Sequence, residues 1–473
     1  MGDAAAGTVA ARWVLLATVL GSGMAYLDST VVNVALPALS ADLDTDVQGL
    51  QWVLDGYLVT LTAFLLLGGA LGDKYGRRRV FRVGAVGFAT SSVLCGLAPT
   101  TEVLVVARAV QGAAGALLVP VSLALLSATV RPDDRARTVG AWAGLTGVAS
   151  AIGPFVGGWL VDAVSWRWAF FINVPVGALA LYGSSHVPES LDEDAPAHLD
   201  VLGAATAIVG LLVVTAGLIL EAPLVAMTGL AVLVAFVVIE RRSPNPMLPP
   251  ALFRSSQFVG ANLVTLVVYA GLGTAFFLVV VQLQVGLGYS ALEAGSALLP
   301  VTLASLVLSP RMGALSQRVG PRIPMTVGPI VVAGGLLAFA TVSAGDGYAT
   351  SVLPAAALFG LGLSITVAPL TAAVLASVDD HHVGVGSAAN YAVARLAGLL
   401  AVAVLPSVAG VELAAGPDGD LVGYSTALAI SAAVCTLGGA IAWLTIRATR
   451  TVAPEVAPHV FHPCLEQAAA EMA

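Results

Sequence analysis

Charge is what this chain has least of. Only 10% of its residues are Asp, Glu, Lys or Arg, against roughly 25% in a soluble globular domain, and Lys74 is its sole lysine. A phosphate-cradling Gly-x-x-x-x-Gly-Lys-Ser/Thr loop needs a lysine followed by serine or threonine. Lys74 precedes Tyr75, so the sequence argues against ATP hydrolysis. The three cysteines, Cys95, Cys435 and Cys464, are too few and too scattered for a disulfide framework or a metal site. All six histidines (His186, His198, His381, His382, His459 and His462) fall outside the long apolar runs, which disfavours intramembrane haem or zinc. No basic face suited to nucleic acid is present, and no ten-residue alternating segments of a membrane barrel occur.

What the chain does have is apolar length. It is 58% hydrophobic, and runs of about 20 apolar residues, enough to cross a ~30 Å hydrocarbon core, recur along it. Fourteen helical spans are predicted: 13–37, 50–71, 81–98, 103–129, 138–161, 168–187, 199–220, 224–239, 258–283, 294–315, 323–343, 350–377, 385–411 and 423–446. The first contains Asp28 and reads as a retained span, not a cleaved leader. With fourteen spans, Arg12, the cluster Lys74 to Arg82, Arg131, Arg135, Arg137, Arg241, Arg242, Arg254, Arg311, Arg318, Arg322, Arg447 and Arg450 all fall on one face. The opposite face holds Arg167 alone, while Arg108 and Arg395 lie inside spans. The positive-inside rule makes the basic face cytoplasmic, with both termini on it, in a cell membrane. The formal charge of −8 therefore sums two sides of a bilayer.

Charges inside hydrocarbon are costly and survive where they meet a partner or a wet cavity. Asp28, Asp55 and Arg108 are thus the first candidates for function. Asp28 and Asp55 each fall about two turns from the outer ends of their spans and could face one vestibule. A carboxyl there can carry a proton or pair with a cationic group; the plainer readings are a permanently hydrogen-bonded acid for Asp28 and a helix-start acid for Asp55. Arginine stays protonated, so Arg108 cannot shuttle a proton; it would instead drive one off Asp28 or Asp55, or form a static pair. A weak internal repeat also shows: Gly69-Ala70-Leu71-Gly72-Asp73-Lys74-Tyr75-Gly76-Arg77 after span two is echoed by Gly313-Ala314-Leu315-Ser316-Gln317-Arg318-Val319-Gly320-Pro321-Arg322 after span ten. Repeats of this scale are typical of secondary transporters.

Taken in order, Leu27-Asp28-Ser29-Thr30-Val31-Val32-Asn33-Val34-Ala35-Leu36-Pro37, the Gly69–Arg77 loop, Leu104 to Gly115 with Arg108, Gln111 and Gly112, the glycines of span five, and Trp166-Arg167-Trp168-Ala169-Phe170-Phe171-Ile172-Asn173-Val174-Pro175 carry a resemblance. The chain resembles the major facilitator superfamily, and within it the fourteen-helix drug:proton antiporter group, over nearly its whole length. The resemblance implies an all-α polytopic membrane protein with two six-helix bundles (1–190 and 246–450), two additional central helices in 191–245, and a cytoplasmic tail at 451–473. It assigns proton coupling or substrate contact to Asp28, Asp55 and Arg108. Gly69, Asp73, Gly76 and Arg77 become a conformational latch, with Asp73 set against a helix N-terminus of the other half. Gly140, Gly153, Pro154, Gly157 and Gly158 match the pattern of an antiporter gate helix, with Ala149 standing where the family has glycine. The remaining cleft candidates are Asn33, Gln282, Gln284, Glu293, Asn390 and Arg395; Ala397 and Ala401 replace family glycines beside Arg395.

The expected activity is export of a hydrophobic or amphipathic drug-like or antibiotic-like compound in exchange for protons, by alternating access. The partners are then a small-molecule substrate, protons and the lipid bilayer. The chain would act as a monomer with no metal and no cofactor beyond the proton gradient. Proton-coupled import of a metabolite, and export of a lipid or natural product, stand as alternatives, and a membrane-embedded enzyme is disfavoured.

Overall fold

A membrane helix must satisfy its own backbone, because lipid offers no hydrogen-bond partners, and this chain is helical almost throughout. The computed structural model describes residues 8–191, 200–243, 246, 250–343, 345–378, 383–412 and 421–447. Sixteen α-helices occur there: α1 (Val9–Leu43), α2 (Val47–Tyr75), α3 (Arg77–Gly96), α4 (Thr101–Thr129), α5 (Pro132–Ala163), α6 (Trp168–Phe171), α7 (Asn173–Ser185), α8 (Val201–Ile219), α9 (Pro223–Arg242), α10 (Ser256–Val281), α11 (Ala291–Ala297), α12 (Leu299–Val319), α13 (Arg322–Ala340), α14 (Leu353–Leu375), α15 (Val383–Ala409) and α16 (Tyr424–Thr445). The predicted tail at 451–473, the acidic run at 192–194 and the loop holding Asp379 lie outside the described residues.

Short polar side chains start these helices where the sequence places them. Asp46 accepts the Gly49 N–H at 2.9 Å, Asp200 accepts Gly203 at 2.7 Å, and Ser290 with Glu293 forms a reciprocal capping box. Glu293, expected in the cleft, is therefore a cap. The two echoed loops share backbone geometry: Gly76 after α2 has φ 103° and Gly320 after α12 has φ 86°. Only glycine adopts such angles without strain, which makes the repeat physical as well as textual.

Twelve of the described helical segments are long and apolar enough to cross a bilayer, or up to thirteen when the bent pair Val47–Leu65 and Leu67–Tyr75 counts as one span. Fourteen were expected. The two outside the twelve are the bent α2 and α3, and α3 spans 20 residues at the expected place but carries Arg77, Arg78, Arg79 and Arg82 in its first two turns. At 35 residues, α1 is about 52 Å long at ~1.5 Å per residue, so its ends stand clear of the hydrocarbon.

The first-half helices pack on one another through α2–α4, α1–α5, α3–α4 and α1–α7, and the second-half helices through α13–α14, α13–α16, α10–α16, α12–α14 and α10–α15. Lipid removes the hydrophobic drive between helices, so close backbone approach holds them. At the α2–α4 seam a Cβ on Gly72 would come within 2.8 Å of Val121 Cγ2, and one on Gly112 within 3.0 Å of the Tyr57 carbonyl carbon. The additional helices are central in the sequence but lateral in space. They form an α8–α9 hairpin in which α8 lies against both α2 and α15, while α9 packs mainly on α8 and leaves most of its surface uncovered.

Candidate functional site

Asp28, Arg108, Gln111 and Asn173 form a closed network inside the first half. Arg108 Nη1 donates to Asp28 Oδ2 at 2.5 Å, and the pair is 1% and 0% exposed. Arg108 Nη1 also donates to Gln111 Oε1 at 2.6 Å. Gln111 Nε2 donates to Asp28 Oδ1 at 2.7 Å and to Ser92 Oγ at 2.9 Å, and Asn173 Nδ2 donates to Asp28 Oδ1 at 3.0 Å. Arg108 Nε bonds the Val53 carbonyl at 3.2 Å, and its guanidinium lies 4.2 Å from the Tyr57 ring centre. Three N–H donors therefore converge on one carboxylate, a set that suits an ionised acceptor. Four helices supply it: α1, α3, α4 and α7. Gln111 and Asn173 were quoted with their sequence motifs but not ranked as site residues, and Ser92 was missed. A lone polar side chain in an apolar run was the available signal for each.

Asp55 does not join this network. It is fully buried and, among the described residues, neither carboxyl oxygen has a hydrogen-bond partner. One turn before it Gln51 donates to the Val402 carbonyl of α15 at 2.8 Å, and one turn after it Val59 packs with Leu211 of α8 and Leu399 of α15. Residues four apart share a helix face, so Asp55 lies on the face of α2 turned toward α8 and α15. The expected common vestibule for the two acids is not found: Asp28 is enclosed by α4 and α7, whereas Asp55 sits at the seam with the second half.

The polar ties between halves gather at the end of the bundle holding the α1–α2 turn. Besides Gln51, Gln284 Nε2 donates to the Val34 carbonyl at 2.9 Å, and Asp162 accepts the Ala291 and Leu292 N–H groups at 3.0 and 2.7 Å. The glycines of α5 divide their work. A Cβ on Gly158 would come within 2.6 Å of Leu292 Cα in α11, and one on Gly295 within 2.7 Å of the Pro154 carbonyl carbon. Gly153 and Gly157 instead abut Thr30 and Val31 of α1, in their own half. Gly140 lies in α5, outside the residues whose surroundings are described.

At the opposite end the α2–α3 loop is held within the first half. Asp73 Oδ1 accepts from Arg77 Nε at 2.9 Å, and among the described residues it meets no helix N-terminus of the second half. The acid at a helix start here is Glu189, which accepts the Arg78 and Arg79 N–H groups at 2.8 and 3.2 Å. Gly69 meets Pro120 at an ordinary 3.7 Å, so the close contacts of this loop belong to Gly72 and Gly76.

The cleft candidates have mixed fates. Asn33 bonds its own helix through the Ser29 carbonyl, and Gln282 accepts the Leu421 N–H at 2.8 Å. Asn390 donates to Thr265 Oγ1 at 2.7 Å and to Asn262 Oδ1 at 3.1 Å, tying α15 to α10. Arg395 Nη2 donates to the Tyr391 hydroxyl at 2.5 Å, and its guanidinium lies 4.9 Å from the Tyr391 ring centre and 5.8 Å from that of Tyr26 in α1. Neither tyrosine was singled out beforehand. No group of metal-ligating side chains occurs among the described residues.

Comparison with known proteins adds an independent line. The model of the Major Facilitator Superfamily matches residues 18–402. The chain is 34% identical to the puromycin resistance protein pur8 of Streptomyces alboniger over 94% of this chain and 93% of that one. It is 35% identical to the tetracenomycin C resistance and export protein of Streptomyces glaucescens, over 83% of this chain and 74% of the relative. The multidrug resistance protein Stp of Mycobacterium tuberculosis is 33% identical over 85% and 76%. Among solved structures, a D-xylose-proton symporter superposes with a TM-score of 0.67 at 14% identity, covering 92% of this chain and 98% of that one. A POT family transporter in complex with a thioalcohol conjugated peptide gives 0.69 at 12% identity, covering 92% and 95%. At such identities the structures share the fold alone.

Proposed function

The chain belongs to the Major Facilitator Superfamily, a multi-pass membrane transporter and not an enzyme, and on that premise we propose that it exports a hydrophobic or amphipathic antibiotic-like compound in exchange for protons. Three relatives at 33–35% identity bear names of resistance or export proteins, which supports the outward direction. The observation that carries the coupling is the buried Asp28–Arg108–Gln111–Asn173 network. A proton on Asp28 would cancel the charge that pairs with Arg108 and add an O–H donor beside a guanidinium that can only donate, so the ion pair would weaken. Protonation is thereby tied to movement of Arg108, and through it to α1, α4 and α7.

In this reading α3 is a span despite its basic start, giving fourteen, and the arginine-rich α2–α3 end faces the cytoplasm of the cell membrane with both termini. Residues 1–190 and 246–450 are the rocking halves, and the protein works as a monomer. The ties made by Gln51, Gln284 and Asp162 then close the outer side, and the Asp73–Arg77 pair is a latch disengaged while the cytoplasmic side is open. Asp55, without a donor to either oxygen among the described residues, is the second proton carrier, at the seam where the halves separate.

The test is efflux from proteoliposomes under an imposed pH gradient, using a compound found by resistance screening in a host lacking its own pumps. Uphill efflux should require the gradient and fall at least tenfold in Asp28→Asn. Equal transport with no pH or voltage difference would refute proton exchange.

A further inference from the structure

Two arginines lie inside the helical bundle, and their surroundings differ in kind. Arg108 has Asp28. Arg395 has no carboxylate within ion-pair distance among the described residues; its hydrogen-bond partner is the neutral Tyr391 hydroxyl, and its other neighbours are the Tyr391 and Tyr26 rings. A guanidinium carries five N–H donors and remains charged. Arg395 is only half-buried, so most of its donors have no acceptor among the described residues and are open to whatever enters the space beside it.

The position is as informative as the charge. Arg395 stands at the middle of Val383–Ala409 and Tyr26 at the middle of Val9–Leu43, so the cluster lies near the midplane and straddles the two halves, where transporters of repeat construction hold cargo. The Tyr26 and Tyr391 rings stand nearly perpendicular, 80° apart with centres 6.4 Å apart, leaving faces and edges for a third ring. Tyr26, Ser29, Thr30 and Asn33 form a half-buried polar stripe at helical spacing on α1. On α15 the stripe of Tyr391 and Arg395 continues to Gly398, where an added Cβ would meet no atom within 4 Å. There is open space one turn from the unpaired cation.

We propose that Tyr26, Tyr391, Arg395 and the space beside Gly398 form the cargo site, and that it takes a planar aromatic compound bearing an acidic group, a carboxylate or an acidic phenol. This rests on the transporter reading and narrows it, since the sequence acids alone point toward cations. The acid would occupy the idle guanidinium donors, and the ring would sit among the tyrosines. A cationic cargo would meet the Arg395 charge here, where no carboxylate lies within ion-pair distance among the described residues; Asp28 is engaged by Arg108 and Asp55 lies on the α2 face turned toward Val402 and Leu399. Rocking of the halves parts Tyr26 from Arg395, which splits the site and loosens its cargo.

The probes are 2-naphthoate, 2-naphthamide and 2-naphthylmethyl-trimethylammonium, which share one ring system, with binding to purified protein followed by naphthalene fluorescence anisotropy. Naphthoate should bind at least tenfold more tightly than the amide, and the ammonium more weakly still. Arg395→Gln should erase the preference and Arg395→Lys should keep most of it. Gly398→Leu, whose Cβ would meet no atom within 4 Å, should weaken naphthoate at least tenfold with an unchanged unfolding temperature; it decides the matter alone if Arg395→Gln does not fold. Absence of naphthoate binding, equal or tighter binding of the ammonium, or a preference that survives Arg395→Gln overturns the proposal. Binding needs no gradient, so a naphthoate site without efflux would sink the exporter reading only. Efflux restricted to cations would sink the site only.

Discussion

The Asp162 carboxylate accepts the Leu292 backbone N–H at 2.7 Å, joining the last turn of α5 to the first turn of α11 and so one half of the protein to the other. A carboxylate at a helix N-terminus is favoured by ~0.3–1 kcal/mol at exposed sites, which is a bias of about two- to fivefold on an equilibrium. Asp162→Asn should therefore shift the protein toward outward-open by that factor. A cysteine replacing Gln284, which also bridges the seam, reports it: labelling from outside should quicken about two- to fivefold. Unchanged labelling would remove Asp162 from the outer gate.

The same seam predicts unequal outcomes for two glycines. Gly158 meets backbone atoms of Ala291 and Leu292, which cannot rotate away, whereas Gly69 meets only Pro120 at ordinary contact. Gly158→Leu should hold the outer side open and cut transport more than tenfold. Gly69→Ala should leave transport within about twofold and shift stability by no more than about 0.5 kcal/mol, as substitutions away from tight contacts do. Efflux rates and unfolding temperatures of the two proteins, measured side by side, check this. A tolerated leucine at 158 would show that the contact is not a gate.

How far the sequence could lead is clear from particular residues. The helices were legible because an apolar run of about 20 residues has few other fates, and the Gly76 and Gly320 turns because glycine alone suits their φ. Asp28 and Arg108 stood out by cost. Their partners did not: Asn173 is 145 positions from Asp28 and Gln111 is 83, and no local pattern encodes a contact across three helices. Asp28 and Asp55 have similar depths from their span ends yet face different neighbours, because depth is set by position along a helix and direction by its packing. Glu189 and Asp162 were invisible for a related reason, since each caps a helix far away in the chain.

Breaking the buried pair should separate folding from coupling. Removing one member of a buried ion pair leaves the other uncompensated and typically costs 3–5 kcal/mol, while replacing both by apolar residues is often neutral. Asp28→Leu and Arg108→Met should each lower the unfolding temperature strongly, and the double variant should recover most of the loss. None of the three should drive efflux with a pH gradient. A double variant that regains transport would show that the pair only braces the fold.

At the end holding the α2–α3 turn, Glu189 and Asp73 should part ways. Glu189 caps α3 through two backbone N–H groups, and loss of a helix cap costs about 0.5–2 kcal/mol. Glu189→Gln should therefore lower stability in this conformation. Asp73 makes a half-buried pair with Arg77 across the α2–α3 turn, and ion pairs that water can reach are worth about 0–1 kcal/mol, so Asp73→Asn should scarcely change stability while slowing transport. Thermal unfolding in detergent and efflux in vesicles give the two readouts. The reverse pattern would make Glu189 the latch and Asp73 the brace.

Asp55 offers the sharpest separation of the two acids. Asp28 is bound by three donors, so its amide variant loses a charge pair; Asp55 is bound by none among the described residues, so its amide variant loses no hydrogen bond the structure records. Asp55→Asn has nearly the same shape, and it removes any ionised form that burial at the α2–α15 seam would penalise. Its unfolding temperature should equal or exceed that of the parent protein. If Asp55 carries a proton, uphill efflux should nonetheless fall at least tenfold, while downhill exchange of labelled for unlabelled cargo continues. Full gradient-driven efflux in Asp55→Asn would leave Asp28 as the only acid able to couple the cycle. A large drop in stability would mean that the carboxylate has a partner it gains only in another conformation.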